Sequence, residues 1–379
     1  MMNDFLIINR NYVKVGKGQI GLVIRTFIIH HLSFIISVSF TISVSFTISV
    51  SLVTSSCSNS GDEAAQFFLK GNIQLQKREY TEAIRYYSEA IAKKPDFADA
   101  YNNRGLARFR NDDREGALAD YTRAIDADPD FGTAYFNRAE VRLETGDAAG
   151  SVADLERIEK QYSDSTFYQT RLADAYVRLN KTAQAQVAYD RALQLDPNNV
   201  EALTNRGAFY YGQKAYDAAG QDVRRALQLN PKQDAALNNQ SLLLARAGKY
   251  PEALTYVEQA LRLKPRQPYY LNNKAYLLLK LNRPEEALPF VQESLQRDNE
   301  NAWAHQTLGL YWLGQKQPQK ALPEFRQAEI LDASVDQLYY YIGLAELATG
   351  NKSQACNAWQ RGESAGDEQA KKERALQCR

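Results

Sequence analysis

Residues 98–131, ADAYNNRGLARFRNDDREGALADYTRAIDADPDF, decide the fold, because their order of small and large side chains recurs every 34 residues. Ala117, Tyr121 and Ala124 stand four and three residues apart, the spacing of one helix face. Stepping by 34 from Gly71 meets Gly105, Ala139, Ala173, Gly207, Ser241, Ala275, Gly309 and Gly343, all small. Twelve residues further on, Ala83, Ala117, Ser151, Ala185, Ala219, Ala253, Ala287, Ala321 and Ala355 are small as well. A third column, from Ala90 through Ala124 to Gly362, is broken by one large residue, Ile158. Small side chains at set places let two helices approach closely. A bulky column beside them fills the space, running from Tyr87 and Tyr121 to Phe325 and Trp359. Another apolar column opens each unit, with Gln169 and His305 as its interruptions.

The punctuation repeats with the same period. Pro95, Pro129, Pro197, Pro231 and Pro265 fall between units, where proline ends one helix and its fixed φ helps begin the next. Polar or glycine turns such as Asn111–Asp112, Gly146–Asp147, Gly248–Lys249 and Gly350–Asn351 divide each unit into two helical runs. Pro251, Pro284 and Pro318 sit where a second helix starts, a position that tolerates proline. Pro289 and Pro323 lie deeper, and a kink is expected at each. Ile158, Ser163 and Gln169 together replace a small residue, a proline and an apolar residue, which predicts a looser or bent seam over 155–172.

These columns resemble the tetratricopeptide repeat family over about residues 64–369, without an insertion. The resemblance implies an all-α, right-handed superhelical solenoid of antiparallel helix pairs with a concave groove. Nine repeats start near 64, 98, 132, 166, 200, 234, 268, 302 and 336, and a capping helix follows over 367–379. Physically, one hairpin cannot bury its apolar face alone, so neighbours stack and the array propagates. The family places Asn103, Asn137, Asn205, Asn239 and Asn273, one column in this sequence, on the groove. Such carboxamides can bond the main chain of an extended peptide, and the column is equally common in the family as part of the repeat itself. Arg104, Arg138 and Arg206 follow three of these asparagines, so a carboxylate clamp is a further reading. Periodicity assigns most of the tyrosine clusters, such as Tyr210–Tyr211, Tyr269–Tyr270 and Tyr339–Tyr341, to the core, leaving some outward as partner anchors.

Composition changes abruptly near residue 60. Residues 1–25 carry Arg10, Lys14, Lys17 and Arg25, and 26–61 contain no charged side chain, with SVSFTI written twice at 37–48. A basic stretch, an apolar stretch and Ser55–Ser56 before Cys57 resemble a bacterial lipoprotein signal peptide over 1–56. That resemblance implies cleavage before Cys57, lipid on Cys57, and attachment to the outer membrane, cell surface or periplasmic face. Residues 57–63 then resemble the polar tether of some Bacteroidota lipoproteins. Residues 32–53 are also long enough to remain as an inner-membrane anchor, and their alternation fits a strand. GKGQIG at 16–21 lacks the helix and the downstream acid that a dinucleotide site needs.

At the other end Ala370, Ala375 and Leu376 are expected to pack back on the array, with Lys371, Lys372, Glu373 and Arg374 mostly outward. Cys356 and Cys378 lie equally far from Asp367 and so at one height of an antiparallel pair. They form a disulfide in an oxidising compartment, or stay as two thiols elsewhere.

Net charge is +1, from 46 basic and 45 acidic residues interspersed, which provides no footprint for nucleic acid. Three histidines and three cysteines leave little for a metal site, and no cofactor motif or catalytic constellation is present. The expected function is a membrane-anchored scaffold or adaptor that takes a protein or peptide partner in the groove, with no enzymatic activity and no small-molecule substrate. A co-chaperone-like adaptor in the cytoplasm or on the inner membrane, and a self-associating structural array, are the alternatives.

Overall fold

A computed structural model describes residues 60–378, all of it helix and turn. The signal segment 1–56, lipidation at Cys57 and the alternative anchor at 32–53 lie outside the described residues. The chain divides into two compact units at Ala185/Gln186, inside one helix.

The first unit opens with α1 (Ser60–Gln76) and α2 (Tyr80–Lys93), then α3 (Ala98–Arg110) and α4 (Arg114–Ala127). It continues with α5 (Gly132–Glu144), α6 (Ala148–Arg157), a single turn α7 (Glu159–Tyr162), α8 (Thr166–Arg178) and the start of α9 (Thr182–Leu195). Residues 60–63, expected as tether, are instead the first turn of α1. Asp62 and Glu63 suit that end of the helix dipole, and Glu63 pairs with Lys93 at 2.6 Å.

The second unit holds α10 (Val200–Gly212), α11 (Tyr216–Leu229), α12 (Asp234–Arg246), α13 (Tyr250–Leu263), α14 (Pro268–Lys280) and α15 (Pro284–Arg297). After them come α16 (Ala302–Gly314), α17 (Pro318–Leu331), α18 (Leu338–Ala348), α19 (Lys352–Ser364) and α20 (Glu368–Gln377). Within each unit a first helix packs on its own second helix, that second helix on the next first helix, and neighbouring first helices on each other.

The columns acquire a physical cause here. A Cβ added to Gly71 would lie 2.6 Å from Cε1 of Tyr87, and one on Gly105 would lie 2.8 Å from Cε1 of Tyr121. On Gly309 it would lie 2.5 Å from Cε1 of Phe325, and Gly343 faces Trp359 in the same way. The small residue of each first helix is thus the floor on which the large residue of its second helix rests. Tyr87, Tyr121, Phe325 and Trp359 are fully buried there.

Every helix pair turns through one left-handed residue: Arg78, Asp112, Gly146, Asn180, Lys214, Gly248, Asn282, Lys316 and Gly350 all have φ between 56° and 90°. In the second pair Asp112 N bonds Phe109 O at 3.1 Å and Asp113 N bonds Arg108 O at 2.9 Å, the two bonds of a Schellman turn. Asp113 and Asp147 then cap the helices that follow, accepting from Gly116 N and Gly150 N.

The departures have local reasons. Ile158 is buried where other repeats place a small residue; the helix ends at Arg157 and resumes at Glu159, with Ile158 at φ −108° and ψ 8°. Beyond the break, Gln169 Nε2 donates to Ser163 O at 2.8 Å, tying the start of α8 to the turn that precedes it. The helices containing Pro289 and Pro323 run unbroken through both residues. At the C-terminus Ala370 is fully buried against Ala355 and Trp359, but Ala375 is exposed and Leu376 is 67% exposed, contrary to expectation. The ten-residue α20 offers only one narrow stripe to the array. Cys356 and Cys378 are joined as a disulfide with Cα atoms 5.7 Å apart.

Candidate functional site

The asparagine column lies on the first helices and connects them. Asn103 Nδ2 donates to Asn72 Oδ1 at 2.9 Å, and Asn137 Nδ2 donates to Asn102 Oδ1 at 2.9 Å. In the second unit Asn273 Nδ2 reaches Asn238 Oδ1 at 2.8 Å, and Asn239 Nδ2 reaches Thr204 O at 3.2 Å. Asn137, Asn239 and Asn273 thus each reach back 35 residues to the preceding first helix, one position short of the column, while Asn103 reaches back 31. Asn103 and Asn137 are 1% and 0% exposed, so their groups serve the lattice between helices. Asn205, Asn239 and Asn273 are half-buried and retain surface. The sequence alone could not separate these two groups, since all five occupy one column.

The arginines that follow the asparagines are committed inside their own repeats. Arg104 grips Asp120 through Nε at 2.8 Å and Nη2 at 2.7 Å. Arg138 and Asp154 do the same at 2.9 and 2.6 Å, and Arg206 and Asp222 at 2.7 and 2.9 Å. All three acids are buried or nearly so. The hydrogen bonds to Asp154 raise the Arg138 pKa above its ordinary value. A carboxylate clamp on these three residues is thereby ruled out as a use of free guanidinium groups; each is already neutralised by a bidentate acid. The signal was available in the sequence, because Asp120, Asp154 and Asp222 all follow their arginine by sixteen residues.

The first helices of the second unit also carry a tyrosine-rich face. Tyr211 and Tyr216 meet edge to face at 5.4 Å, and Arg246 lies 4.9 Å over Tyr216. Lys280 Nζ is 3.3 Å from the Tyr341 hydroxyl, and Arg246 comes within 3.7 Å of Asp336. Burial pushes the Tyr211 and Tyr341 hydroxyls up to about 12, so both remain neutral donors near neutral pH. Tyr270 is buried and bonds Asp234 at 2.9 Å, while its neighbour Tyr269 is 51% exposed. Trp303, in the corresponding place one repeat later, is 43% exposed. His305, the interruption of the apolar column, bonds Glu324 through Nδ1 at 2.7 Å and Asn299 O through Nε2 at 3.1 Å. The Glu324 bond raises its pKa above 6.5. Among the described residues no group of acids, histidines and cysteines could hold a metal ion, and no helix is long and apolar enough to cross a membrane.

The Tetratricopeptide repeat family model matches residues 68–129, 104–166, 170–234 and 238–302, together more than half of the chain. The chain belongs to the tetratricopeptide repeat family. Its sequence matches none of the curated proteins. Among solved structures, a chain of the crystal structure of the APC/C hetero-tetramer Cut9-Hcn1 is 14% identical, with a TM-score of 0.58 over 82% of this chain and 75% of that one. MamA from Desulfovibrio magneticus RS-1 is 18% identical, with a TM-score of 0.43 over 46% of this chain and 99% of that one. A tetratricopeptide repeat protein from Parabacteroides merdae ATCC 43184 is 20% identical, with a TM-score of 0.38 over 75% and 99%. The first of these shares the all-α tetratricopeptide solenoid fold. Tetratricopeptide arrays generally bind protein or peptide partners and are generally non-catalytic, so the chain is a protein-interaction scaffold.

Proposed function

We propose that this scaffold holds an extended protein segment on the first-helix face of its second unit, and that a lipid on Cys57 anchors it in a bacterial envelope. The observation that carries the groove reading is the half-buried state of Asn205, Asn239 and Asn273, beside the buried, lattice-bound Asn103 and Asn137. A carboxamide at the surface can present both donor and acceptor groups to a peptide main chain. Tyr269 and Trp303 supply exposed aromatic surface on two successive repeats of the same unit, the residue types that dominate binding energy at interfaces.

Two features support the location. The basic and uncharged segments before Ser55–Ser56–Cys57 have the order of an export signal. The Cys356–Cys378 pairing suits an oxidising compartment. Intact mass of the protein from its native membranes tests the anchor. A lipidated Cys57 at the N-terminus is expected, and an unprocessed chain with Met1 would replace the lipoprotein reading with an uncleaved anchor.

Affinity capture from envelope extract tests the groove, using the full chain and a variant with Asn205, Asn239 and Asn273 changed to Ala. The variant is first shown to keep its thermal midpoint. Loss of a partner from the folded variant is expected. Retention of that partner would assign the asparagines to structure, and concentration-dependent mass with no partner would favour a self-associating array.

A further inference from the structure

The fifth residue of each second helix fills the cleft beside the next first helix. It is aliphatic in six repeats, as Ile84, Leu118, Val152, Leu254, Leu288 and Leu322, each at least partly buried in its core. In the fourth repeat it is Gln186, which bonds the Tyr210 hydroxyl at 2.8 Å; in the ninth it is Cys356, bonded to Cys378. The fifth repeat alone has glycine there. Gly220 is buried in the middle of α11, where glycine weakens a helix relative to alanine. A Cβ placed on it would meet only the tip of Arg224, at 3.1 Å, and nothing else within 4 Å.

Gly220 borders a cleft of about 560 Å³ between α11 and α12, with Leu243 and Tyr216 among its walls. Gln240 lines the cleft, and its Oε1 is buried without a hydrogen-bond donor. Among the described residues the Arg224 guanidinium has no ion-pair partner, while the neighbouring Arg246 rests on Tyr216 at 4.9 Å. One acid, Asp217, borders the same space. A slot walled in part by Tyr216, Leu243 and Ala247 thus meets an exposed, unpaired cation at one place.

We propose that this cleft docks a partner protein segment in which a leucine-sized aliphatic residue is followed by Asp or Glu. The aliphatic side chain takes the place that Leu254 or Leu288 occupies in its own repeat. The carboxylate pairs with the exposed guanidinium of Arg224 at the edge of the cleft. The site is separate from the asparagine column and does not depend on it.

The test uses the full chain, methyl-labelled at leucine, titrated with the capped peptide acetyl-Ser-Gly-Leu-Glu-Gly-Ser-amide. Saturable shifts of the Leu243 methyl signals are expected. Replacing the peptide leucine by alanine weakens binding about tenfold or more, because most of the buried apolar surface is lost. Replacing its glutamate by glutamine weakens it roughly threefold, and Arg224→Gln then adds no further loss. Gly220→Leu installs the residue that four other repeats carry, keeps the fold, and abolishes binding. Changing Asn205, Asn239 and Asn273 to Ala leaves it intact. The proposal is overturned by the absence of saturable shifts up to about 5 mM peptide, or by binding that survives Gly220→Leu. Tighter binding of a peptide ending at leucine with a free carboxylate also overturns it, by identifying a chain terminus as the occupant.

Discussion

Arg206 and Asp222 stand sixteen residues apart and are joined by two parallel hydrogen bonds of 2.7 and 2.9 Å, from the first to the second helix of one repeat. Asp222 is 7% exposed, so removing it strands a guanidinium that Asp190 engages on the other side at 2.7 Å. Asp222→Ala is expected to lower unfolding stability by about 2 kcal/mol, measured by urea titration. The double change Arg206→Met with Asp222→Leu should recover most of that loss, since no buried charge is left unpaired. An equal loss in both would show that packing, not pairing, sets the cost.

Two glycines five residues apart on α16 should respond in opposite directions. Gly309→Ala drives a methyl to 2.5 Å from Phe325 and is expected to cost about 1–3 kcal/mol through overpacking. Gly314→Ala meets nothing within 4 Å and should stabilise by up to about 1 kcal/mol by restricting the unfolded chain. Thermal midpoints of the two single variants decide it.

The hairpin turns offer a stabilisation that touches no contact. Lys214 and Lys316 hold φ of 60° and 58°, a region that costs a residue with a Cβ about 1 kcal/mol more than glycine. Lys214→Gly and Lys316→Gly should each raise stability by somewhat less than that, because glycine also frees the unfolded chain. A fall in the urea midpoint for both would contradict the turn argument.

His305 makes part of the stability dependent on pH. Both of its ring partners, Glu324 and Asn299 O, are acceptors, so the doubly protonated ring satisfies both. Its folded pKa lies above the ordinary 6.5, chiefly through the Glu324 bond. The contribution is therefore fully present below the unfolded value and is lost as pH rises through the folded one. His305→Phe should remove the decline in stability expected of the parent chain as pH rises above 6.5 through the folded value. An NMR titration placing the His305 pKa at or below 6.5 would refute this.

The break at Ile158 predicts the weakest protection in the first unit. Amide exchange over residues 155–172 should run faster than over α3 and α4. Comparable protection would mean that the Gln169–Ser163 bond restores what the interrupted helix loses.

The 34-residue period, the pairing of helices and the turn positions were legible in the sequence because each depends on neighbours at set spacing. A small residue beneath a larger one sixteen residues later, as Gly71 beneath Tyr87, is a relation within one repeat, and nine repeats write it out nine times. What the tertiary structure decided is where each polar side chain spends its bonds. Asn103 and Asn239 share a column, yet one is sealed between helices and the other keeps surface, because the residue each meets belongs to the preceding helix and differs in size and chemistry. Leu376 was expected to pack, but a ten-residue helix presents one narrow stripe, and Ala370 takes it. The slot over Gly220 is visible only when the helix that would cover it is in place. A column of residue types names the face a side chain occupies; the packed neighbour determines what that face can still bind.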